Sequence, residues 1–306
     1  MVSVIIPSYN RGIYLRQMIL SILKMEGVDL EIIVIDDNST DETSAIIAKL
    51  QRAYSGIRYF RSEINRGPGF SRLYGYSLST GEYVVFADDD DYYTDRSFFK
   101  RAILELEKKT DLAVVSANSD ILYVQENRFE ANNLNIKGEI NNVEYLNGFM
   151  TRYRKPNSTF TTVFRRSSLE KAGLSSMKMV NDASIYMRAL LCGNICVIDG
   201  VIGVYRIHST NITKSLTAQF IIENLEEKKE IWNLSQKLGI RLSPDWLKKQ
   251  FLVTTLYYFN NNKYTLSDIN SIFHWGKMNE VSSNKNKLRR LAIKFSTTLL
   301  NMIKVK

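Results

Sequence analysis

The chain of 306 residues has only two cysteines and two histidines. Cys192 and Cys196 do not have the Cys-x-x-Cys spacing of a redox pair, so we expect buried, reduced thiols. The N-terminus has no basic segment followed by a long apolar one, and no signal peptide is therefore expected. No stretch of the sequence is long and apolar enough to span a bilayer. These absences predict a cytoplasmic protein without membrane-spanning helices.

Internal repeats and low-complexity linkers are also absent, and the contents of 44% hydrophobic and 24% charged residues are those of a soluble globular protein. A chain of this length can bury one sizeable core and has room for a smaller module. The net charge of +9 is unevenly placed, because residues 285–306 contain seven basic side chains and no acidic one. The basicity therefore belongs to this tail, and nucleic acid is not an expected partner.

Strand-like and helix-like segments alternate in the first half of the chain. Short apolar runs predict strands at residues 2–7, 31–35, 57–60, 83–87 and 112–116. Apolar residues at helical spacing predict helices between them, and Ser39 with Glu42 has the spacing of a capping box at the start of one helix. This alternation predicts an α/β fold with a mostly parallel twisted sheet covered by helices on both faces.

The pattern also predicts the domain organisation. We expect one α/β domain over residues 1–215. From residue 216 the sequence has the pattern of helices joined by polar connections. A C-terminal helical extension is therefore expected over residues 216–306.

Four consecutive aspartates, Asp88 to Asp91, directly follow a buried strand. Crowded carboxylates repel one another unless a positive group lies among them, and Mg²⁺ and Mn²⁺ prefer oxygen ligands. The end of a strand in an α/β sheet is also where ligands bind. An acidic, solvated turn and an aspartyl nucleophile of the phosphatase type are alternatives, whereas the regular spacing of a calcium loop is missing. The cluster predicts metal-assisted chemistry on a phosphate-bearing substrate.

Ordered motifs between Ser3 and Thr213 resemble the family 2 glycosyltransferases. Each motif is weak alone, but together they have the order and spacing of that family. The motifs are Ser3-Val4-Ile5-Ile6-Pro7-Ser8-Tyr9-Asn10-Arg11, Ile33-Val34-Ile35-Asp36-Asp37-Asn38-Ser39-Thr40-Asp41, Asn65-Arg66-Gly67, Gly81-Glu82-Tyr83-Val84-Val85-Phe86-Ala87-Asp88-Asp89-Asp90-Asp91, Val163-Phe164-Arg165-Arg166, Asn181-Asp182 and Tyr205-Arg206-Ile207-His208. The resemblance implies the glycosyltransferase-A fold and an inverting transfer of a sugar from a nucleotide diphosphate. It also implies a nucleotide-binding half at residues 1–117 and an acceptor-binding half at residues 118–215.

In this family an Asp-x-Asp element binds a divalent metal, which neutralises charge on the leaving diphosphate. Asp88 and Asp90 match that element, so the resemblance implies Asp90 as a ligand of Mn²⁺ or Mg²⁺ and Asp88 as a ribose or metal contact. Because the run is four residues long, the register can slip by one, and Asp89 remains a further candidate at the nucleotide.

The resemblance also assigns candidates for nucleotide binding. Pro7 and Tyr9 match positions that pack on the base, and Asp37 matches one that accepts a hydrogen bond from it. Arg72 matches a basic position near the phosphates, with a solvated helix arginine as the alternative. UDP is the expected nucleotide because it is the commonest one in the family.

The remaining candidates lie near the reacting groups. Asp182 begins an amphipathic helix and matches the position of the general base, which removes the proton of the acceptor hydroxyl. The family often has Glu-Asp here, whereas this chain has Asn181-Asp182, and the alternative role of Asp182 is that of a helix cap. Arg206 and His208 match an element near the diphosphate, where His208 is also a candidate metal ligand.

The sequence leaves two other functions open. A sugar-phosphate nucleotidyltransferase shares a related sheet and metal chemistry, but residues 7–11 lack its glycine-rich phosphate loop. A nucleotide- or carbohydrate-binding module without turnover is the non-enzymatic alternative, and the intact aspartate run argues against it.

The tail has the pattern of a basic amphipathic helix, with apolar residues such as Leu291 and Phe295 at helical spacing. A helix of this kind suits an anionic membrane surface, although it can also pack its apolar stripe on the protein. We therefore expect peripheral contact through residues 285–306 with the inner face of the plasma membrane. A glycan or lipid-linked glycan acceptor, as in bacterial O-antigen or capsule synthesis, is the matching hypothesis.

Overall fold

The computed structural model describes residues 1–132, 134–209 and 216–281. The chain divides into two compact units, one comprising Met1–His208 and the other beginning at Ser209. The tail over residues 285–306, with its predicted amphipathic helix, lies outside the described residues. Within the described part, no helix combines the length and apolarity needed to cross a membrane.

The first unit is built on one mixed sheet, whose strand order along the main path is β3-β2-β1-β4-β9-β6-β10-β5. Strand β7 pairs with β6, and β8 pairs with β10. The strands are β1 (Val2–Ser8), β2 (Leu30–Asp36), β3 (Ile57–Arg61), β4 (Tyr83–Phe86), β5 (Tyr92–Tyr93), β6 (Leu112–Tyr123), β7 (Arg128–Ala131), β8 (Gly138–Ile140), β9 (Thr162–Arg165) and β10 (Asn194–Ile207). The predicted α/β fold is therefore present.

The direction of the strands determines which residues meet. Strands β1, β2, β3 and β4 are parallel, as predicted. Beyond them the sheet is mixed, because β9 runs antiparallel to both β4 and β6. Strand β6 consequently has the direction of β4, and β10 is parallel to β6. The carboxyl ends of β1, β2, β4 and β10 therefore lie along the same edge of the sheet.

Helices cover both faces of this sheet. Alternate strand residues such as Val4 and Val85 enter a core with helices α1, α2 and α4, whereas Ile5 and Ile35 point to α3 on the other face. Gly75 allows α3 to approach closely, because a Cβ there would lie 2.4 Å from Ile5 Cγ2. The helices of this unit are α1 (Gly12–Ile22), α2 (Thr43–Ala53), α3 (Pro68–Leu78), α4 (Phe98–Lys108), α5 (Asn142–Gly148), α6 (Arg166–Lys171) and α7 (Asp182–Leu190).

The predicted capping box at the start of α2 is wrong. The N-cap residue is Glu42, which makes no side-chain capping hydrogen bond. The hydroxyl of Ser39 instead accepts a hydrogen bond from the Asn10 N–H at 2.9 Å. Asp41 supplies the missing acceptor, because its Oδ1 accepts from the Thr43 N–H at 3.0 Å. The contact with the β1 end thus prevails over the local capping pattern.

The described part of the second unit consists of three helices, α8 (Ala218–Lys237), α9 (Trp246–Asn261) and α10 (Leu266–Met278). Their apolar faces meet in a core of their own, which includes Leu225, Phe251 and Ile272. Helical structure was predicted for this part of the chain, because apolar residues recur there at helical spacing.

Candidate functional site

The aspartate run lies at the carboxyl end of β4, inside the protein rather than on a solvated turn. Asp89, Asp90 and Asp91 are buried, with 3%, 5% and 0% of their surface exposed. Asp88 is partly exposed. Adjacent acidic side chains can be buried only if cations and hydrogen-bond donors surround them. The structure places such groups around each carboxyl group.

Arg72 joins Asp88 to Asp182. Its Nη2 donates to Asp88 Oδ1 at 2.5 Å and lies 3.4 Å from Asp182 Oδ1. The Ser158 hydroxyl donates to the other oxygen of Asp88 at 2.9 Å. Arg72 is buried, with 6% of its surface exposed. The alternative prediction of a solvated helix arginine is therefore wrong, because the inward face of α3 carries this side chain to the aspartates.

Asp182 does not cap its helix. Asn181 is the N-cap of α7, and its side chain accepts from the Ser184 N–H at 3.0 Å, with the Ser184 hydroxyl completing the capping box. The Asp182 carboxylate is consequently released from the helix end. It lies between Arg72 and Lys155, whose Nζ is 3.5 Å from Oδ2, and its side chain is 22% exposed. An incoming hydroxyl can therefore reach it.

Arg11 neutralises the next two aspartates. Its Nη1 lies 3.0 Å from Asp89 Oδ1 and 2.7 Å from Asp90 Oδ2. The Ser8 hydroxyl donates to Asp89 Oδ2 at 2.7 Å. Both Ser8 and Arg11 come from the end of β1, which pairs with β4 in the sheet. Asp89 is thus held inside the protein by its neighbours.

His208 and Asp90 come together although they are far apart in sequence. His208 Nε2 lies 2.8 Å from Asp90 Oδ2. The Tyr14 ring stacks on the imidazole, with centroids 5.8 Å apart. His208 directly follows β10, so the parallel arrangement of β4 and β10 brings it to the aspartates. The second histidine, His274, lies in the second unit.

Arg206 holds the backbone of the aspartate run. Its guanidinium donates to the Asp90 carbonyl oxygen at 2.5 Å and to the Gln17 side chain, and it lies over the ring of Tyr92 at 4.4 Å. The backbone N–H of Arg206 donates to Asp91 Oδ1 at 3.0 Å. Contact of Arg206 with a diphosphate remains a prediction.

The four carboxyl groups titrate differently. Burial raises the pKa of Asp88, raises that of Asp89 to about 7 and raises that of Asp91 well above its ordinary value; the charge of Asp90 adds to each increase. Burial acts in the same direction on Asp90, but the His208 hydrogen bond and the Arg11 guanidinium outweigh it and lower the pKa of Asp90. Asp90 is therefore the aspartate of the run that is most readily ionised.

The nucleotide-binding candidates follow β1 and β2. These strands pair with Ser8 opposite Asp36, so Tyr9 and Asp37 leave the sheet side by side. Tyr9 is 46% exposed and offers an open ring face, whereas Pro7 is buried. The two oxygens of Asp37 accept from the Arg66 N–H at 2.9 Å and the Gly67 N–H at 2.7 Å. Asp37 thus fixes the turn that begins α3, and its contact with a base remains a prediction.

Sequence reasoning missed several residues of this cluster, among them Arg11, Lys155 and Ser158. Arg11 ends a motif quoted above, so its position beside the strand end was the available signal. Lys155 and Ser158 lie in an irregular loop, and the sequence offers no periodicity that would place them. Lys155 Nζ also donates to the Pro156 and Asn157 carbonyl oxygens at 2.8 and 2.9 Å, so the loop itself fixes this side chain.

Two of the predicted metal ligands, Asp88 and Asp90, suit Mn²⁺ or Mg²⁺ by donor type, because these ions prefer carboxylate oxygen. The third, His208, offers an imidazole nitrogen, which is a more usual ligand of Zn²⁺ and other transition metals. Asp90 and His208 are in contact, whereas Asp88 faces Arg72 and Ser158. Within residues 1–132, 134–209 and 216–281, no three His, Cys, Asp or Glu side chains form a group that could hold a metal. In this arrangement the arginines balance the charge of the carboxylates.

The sheet and the acidic cluster at its carboxyl edge define an α/β protein with a candidate active site at the ends of its strands. The model of glycosyl transferase family 2 matches residues 3–173. The chain belongs to this family, which confirms the resemblance seen in the sequence motifs.

Two curated bacterial proteins illustrate the relationship. The GalNAc(5)-diNAcBac-PP-undecaprenol β-1,3-glucosyltransferase of Campylobacter jejuni is 30% identical over 190 residues, which are 60% of this chain and 58% of that protein. The succinoglycan biosynthesis protein ExoO of Rhizobium meliloti is 26% identical over 234 residues, 72% of this chain and 64% of that protein. This chain therefore spans less than two thirds of either relative.

Solved structures share the fold. S. aureus TarS 1–349 in complex with UDP-GlcNAc superposes with a TM-score of 0.68 at 20% identity, over 90% of this chain and 80% of that one. The mannosyltransferase PcManGT of Pyrobaculum calidifontis, in complex with GDP-Man and Mn²⁺, gives a TM-score of 0.53 at 15% identity, over 97% and 80%. The predicted glycosyltransferase-A fold is thereby confirmed.

Proposed function

We propose that the protein transfers a sugar, with inversion, from a nucleotide diphosphate to a hydroxyl group of a glycan acceptor. In this reaction the bond between the anomeric carbon and the diphosphate oxygen breaks, and the acceptor oxygen bonds to the same carbon from the opposite side. The nucleotide diphosphate leaves with the bonding electrons, and the hydroxyl proton passes to a base.

The observation that carries the proposal is the link from Asp88 through Arg72 to Asp182. One buried guanidinium contacts both carboxylates. Only this side chain therefore separates the aspartate run, where the donor is proposed to bind, from the proposed base. Asp182 is partly exposed, and its carboxylate does not cap the helix, so it can accept a proton from a bound hydroxyl. The two neighbouring cations hold the carboxylate in position.

The donor lies, in this proposal, between the ends of β1 and β4. Tyr9 offers an exposed ring for a base, and Arg11 and Arg72 are cations that can face the phosphates. A UDP-sugar is the proposed donor, and the complex of the TarS fold relative with UDP-GlcNAc supports this choice.

A divalent metal is the proposed cofactor, held by Asp90 and His208 with Asp88. When bound, Mn²⁺ or Mg²⁺ would neutralise the charge of the leaving diphosphate. The protein groups have separate tasks: Arg206 and Gln17 fix the backbone of the aspartate run, and Ser158 orients Asp88.

The proposed acceptor is an oligosaccharide linked through diphosphate to a polyprenol on the cytoplasmic side of a bacterial membrane. The Campylobacter relative is named for such a substrate, and ExoO for the synthesis of a bacterial polysaccharide. O-antigen or capsule synthesis is the corresponding biological setting.

A panel of nucleotide sugars, assayed with Mn²⁺, Mg²⁺ or EDTA, tests the proposal. We expect one UDP-sugar to raise the melting temperature and to be slowly hydrolysed, with both effects lost in EDTA. Transfer to a polyprenyl-diphosphate glycan then identifies the acceptor, and the anomeric configuration of the product tests inversion. Binding of UDP-sugars without hydrolysis or transfer to any acceptor would favour a non-catalytic module instead.

A further inference from the structure

The second unit has a groove of its own between α8 and α10. Its volume is about 710 Å³, and its lining includes Ile222, Glu226, Trp275 and Met278. The Met278 side chain is 69% exposed, whereas Trp275 is buried and donates through Nε1 to Glu226 Oε1 at 2.5 Å. The groove thus combines an apolar floor with an acidic rim.

The acidic rim extends along α8. Glu223, Glu226 and Glu230 are exposed and recur at helical spacing, so they share one face of the helix. Lys229 is partly exposed in the same groove and offsets one of these charges. The rim therefore suits a segment that is apolar on one side and basic at its flanks.

The chain turns back at the end of α10. The Glu280 N–H donates to the Lys277 carbonyl oxygen at 3.1 Å, and the Val281 N–H donates to that of Gly276 at 3.0 Å. Glu280 has a φ of 57°, in the left-handed region. This is the Schellman motif, which ends a helix by reversing the chain. Val281 is buried in the core that contains Trp275, so the turn is fixed to the unit.

At Val281 the chain is therefore directed back along α10, and Met278 and Asn279, which directly precede this turn, line the groove. From Lys285 the sequence carries seven basic side chains and no acidic one. Its pattern places Leu291 and Phe295 on one side, with Lys287 at the border of this apolar stripe. The polarity and charge of this segment and the direction of the chain at Val281 are therefore all compatible with the groove.

We propose that residues 285–306 bind in the groove between α8 and α10, with the apolar stripe on Trp275 and Met278 and the basic flanks against the glutamates of α8. This segment was expected at an anionic membrane surface from its sequence alone. The groove offers it a site on its own chain.

Hydrogen–deuterium exchange of the full chain in solution tests the proposal. We expect amides of residues 287–304 to exchange at least about tenfold more slowly than in Glu223→Lys/Glu230→Lys or in Met278→Asp. Each variant changes exposed side chains and should keep the melting temperature. Glu63→Lys/Glu107→Lys, which makes the same charge change at exposed sites of the first unit, is the control and should leave the slow exchange intact.

Charge reversal in the tail provides a second measurement. Lys287→Glu/Lys294→Glu should restore slow exchange in the Glu223→Lys/Glu230→Lys background. Binding to vesicles containing phosphatidylglycerol should be weak for the wild type and stronger for the groove variants, which release the tail.

Fast exchange of residues 287–304 in the wild type would overturn the proposal, as would an equal loss of protection in the control. Strong vesicle binding by the wild type, unchanged in the groove variants, would assign the tail to a membrane instead. Protection that depends on protein concentration would assign it to a second copy of the chain.

Discussion

Arg72 Nη2 lies 3.4 Å from Asp182 Oδ1, although the two residues belong to different helices. The same nitrogen donates to Asp88 at 2.5 Å. Burial acts against the charged form of Arg72, but Asp88 and Asp182 outweigh it and raise the pKa of Arg72. The guanidinium therefore stays charged and joins the aspartate run to the proposed base.

Arg72→Met should destabilise the first unit by about 3–5 kcal/mol, because it leaves Asp88 and Asp182 without their shared cation. Arg96→Met is the control: Arg96 is 62% exposed and lies 3.7 Å from the similarly exposed Glu26, so its loss should cost less than about 1 kcal/mol. Urea denaturation measures both values. Equal stability of Arg72→Met and the wild type would contradict this role of Arg72.

Asp182→Asn should lower the rate of transfer by about 10²- to 10⁴-fold, because an amide cannot take the proton of the acceptor hydroxyl. Donor binding, measured by calorimetry, should change little. Asp29→Asn alters an exposed aspartate and should retain full activity. Near-normal turnover of Asp182→Asn would show that another group is the base.

Asp90 and Asp91 should respond differently to substitution by asparagine. Asp90 is the readily ionised member of the run, so Asp90→Asn should abolish metal-dependent donor binding. Burial raises the pKa of Asp91 well above its usual range and so favours the neutral form of this carboxyl group. An asparagine amide at the same position would still present an oxygen to the Arg206 N–H, which now donates to Asp91 Oδ1.

Asp91→Asn should therefore keep its free energy of unfolding within about 1 kcal/mol of the wild type. Titration with UDP-sugar in the presence and absence of Mn²⁺, together with chemical denaturation, checks both variants. The opposite order, with donor binding lost only in Asp91→Asn, would shift the register of the metal-binding pair by one residue.

Lys228 should make stability depend on pH. It is buried in the second unit and donates to the Thr254 hydroxyl; burial lowers its pKa to about 7, from an ordinary value of 10.5. Between these values the unfolded chain binds more protons, so the free energy of unfolding should rise with pH by up to about 1.4 kcal/mol per unit. Below pH 7 both states are protonated, and the full cost of burying the charge remains.

Lys228→Met should remove this increase and should be more stable than the wild type at pH 6.5. Lys229→Met, one residue further along α8, is the control and should keep the pH profile of the wild type. Urea denaturation at pH 6.5, 8 and 9.5 provides the comparison. A profile that is the same in the wild type and in Lys228→Met would contradict the burial of a charged amine.

The sequence predicted the α/β alternation and the residues at the strand ends, because both follow from local periodicity. Asp88 and Tyr9 are found where strands end because strand boundaries depend on nearby apolar and turn residues. The Ser39–Glu42 capping box failed for a related reason: a residue that also suits a tertiary contact, here Ser39 with Asn10, is not available to its own helix.

The amino-acid sequence by itself determined the class of fold, the family and the acidic run, since all three are carried by order and spacing along the chain. Only the tertiary structure decided how the carboxylates are neutralised. Arg11 and His208 reach the aspartates because the sheet brings distant strand ends to one edge, and Arg72 reaches them from the inward face of α3. Charge compensation depends on distances through space, which spacing in the sequence does not encode.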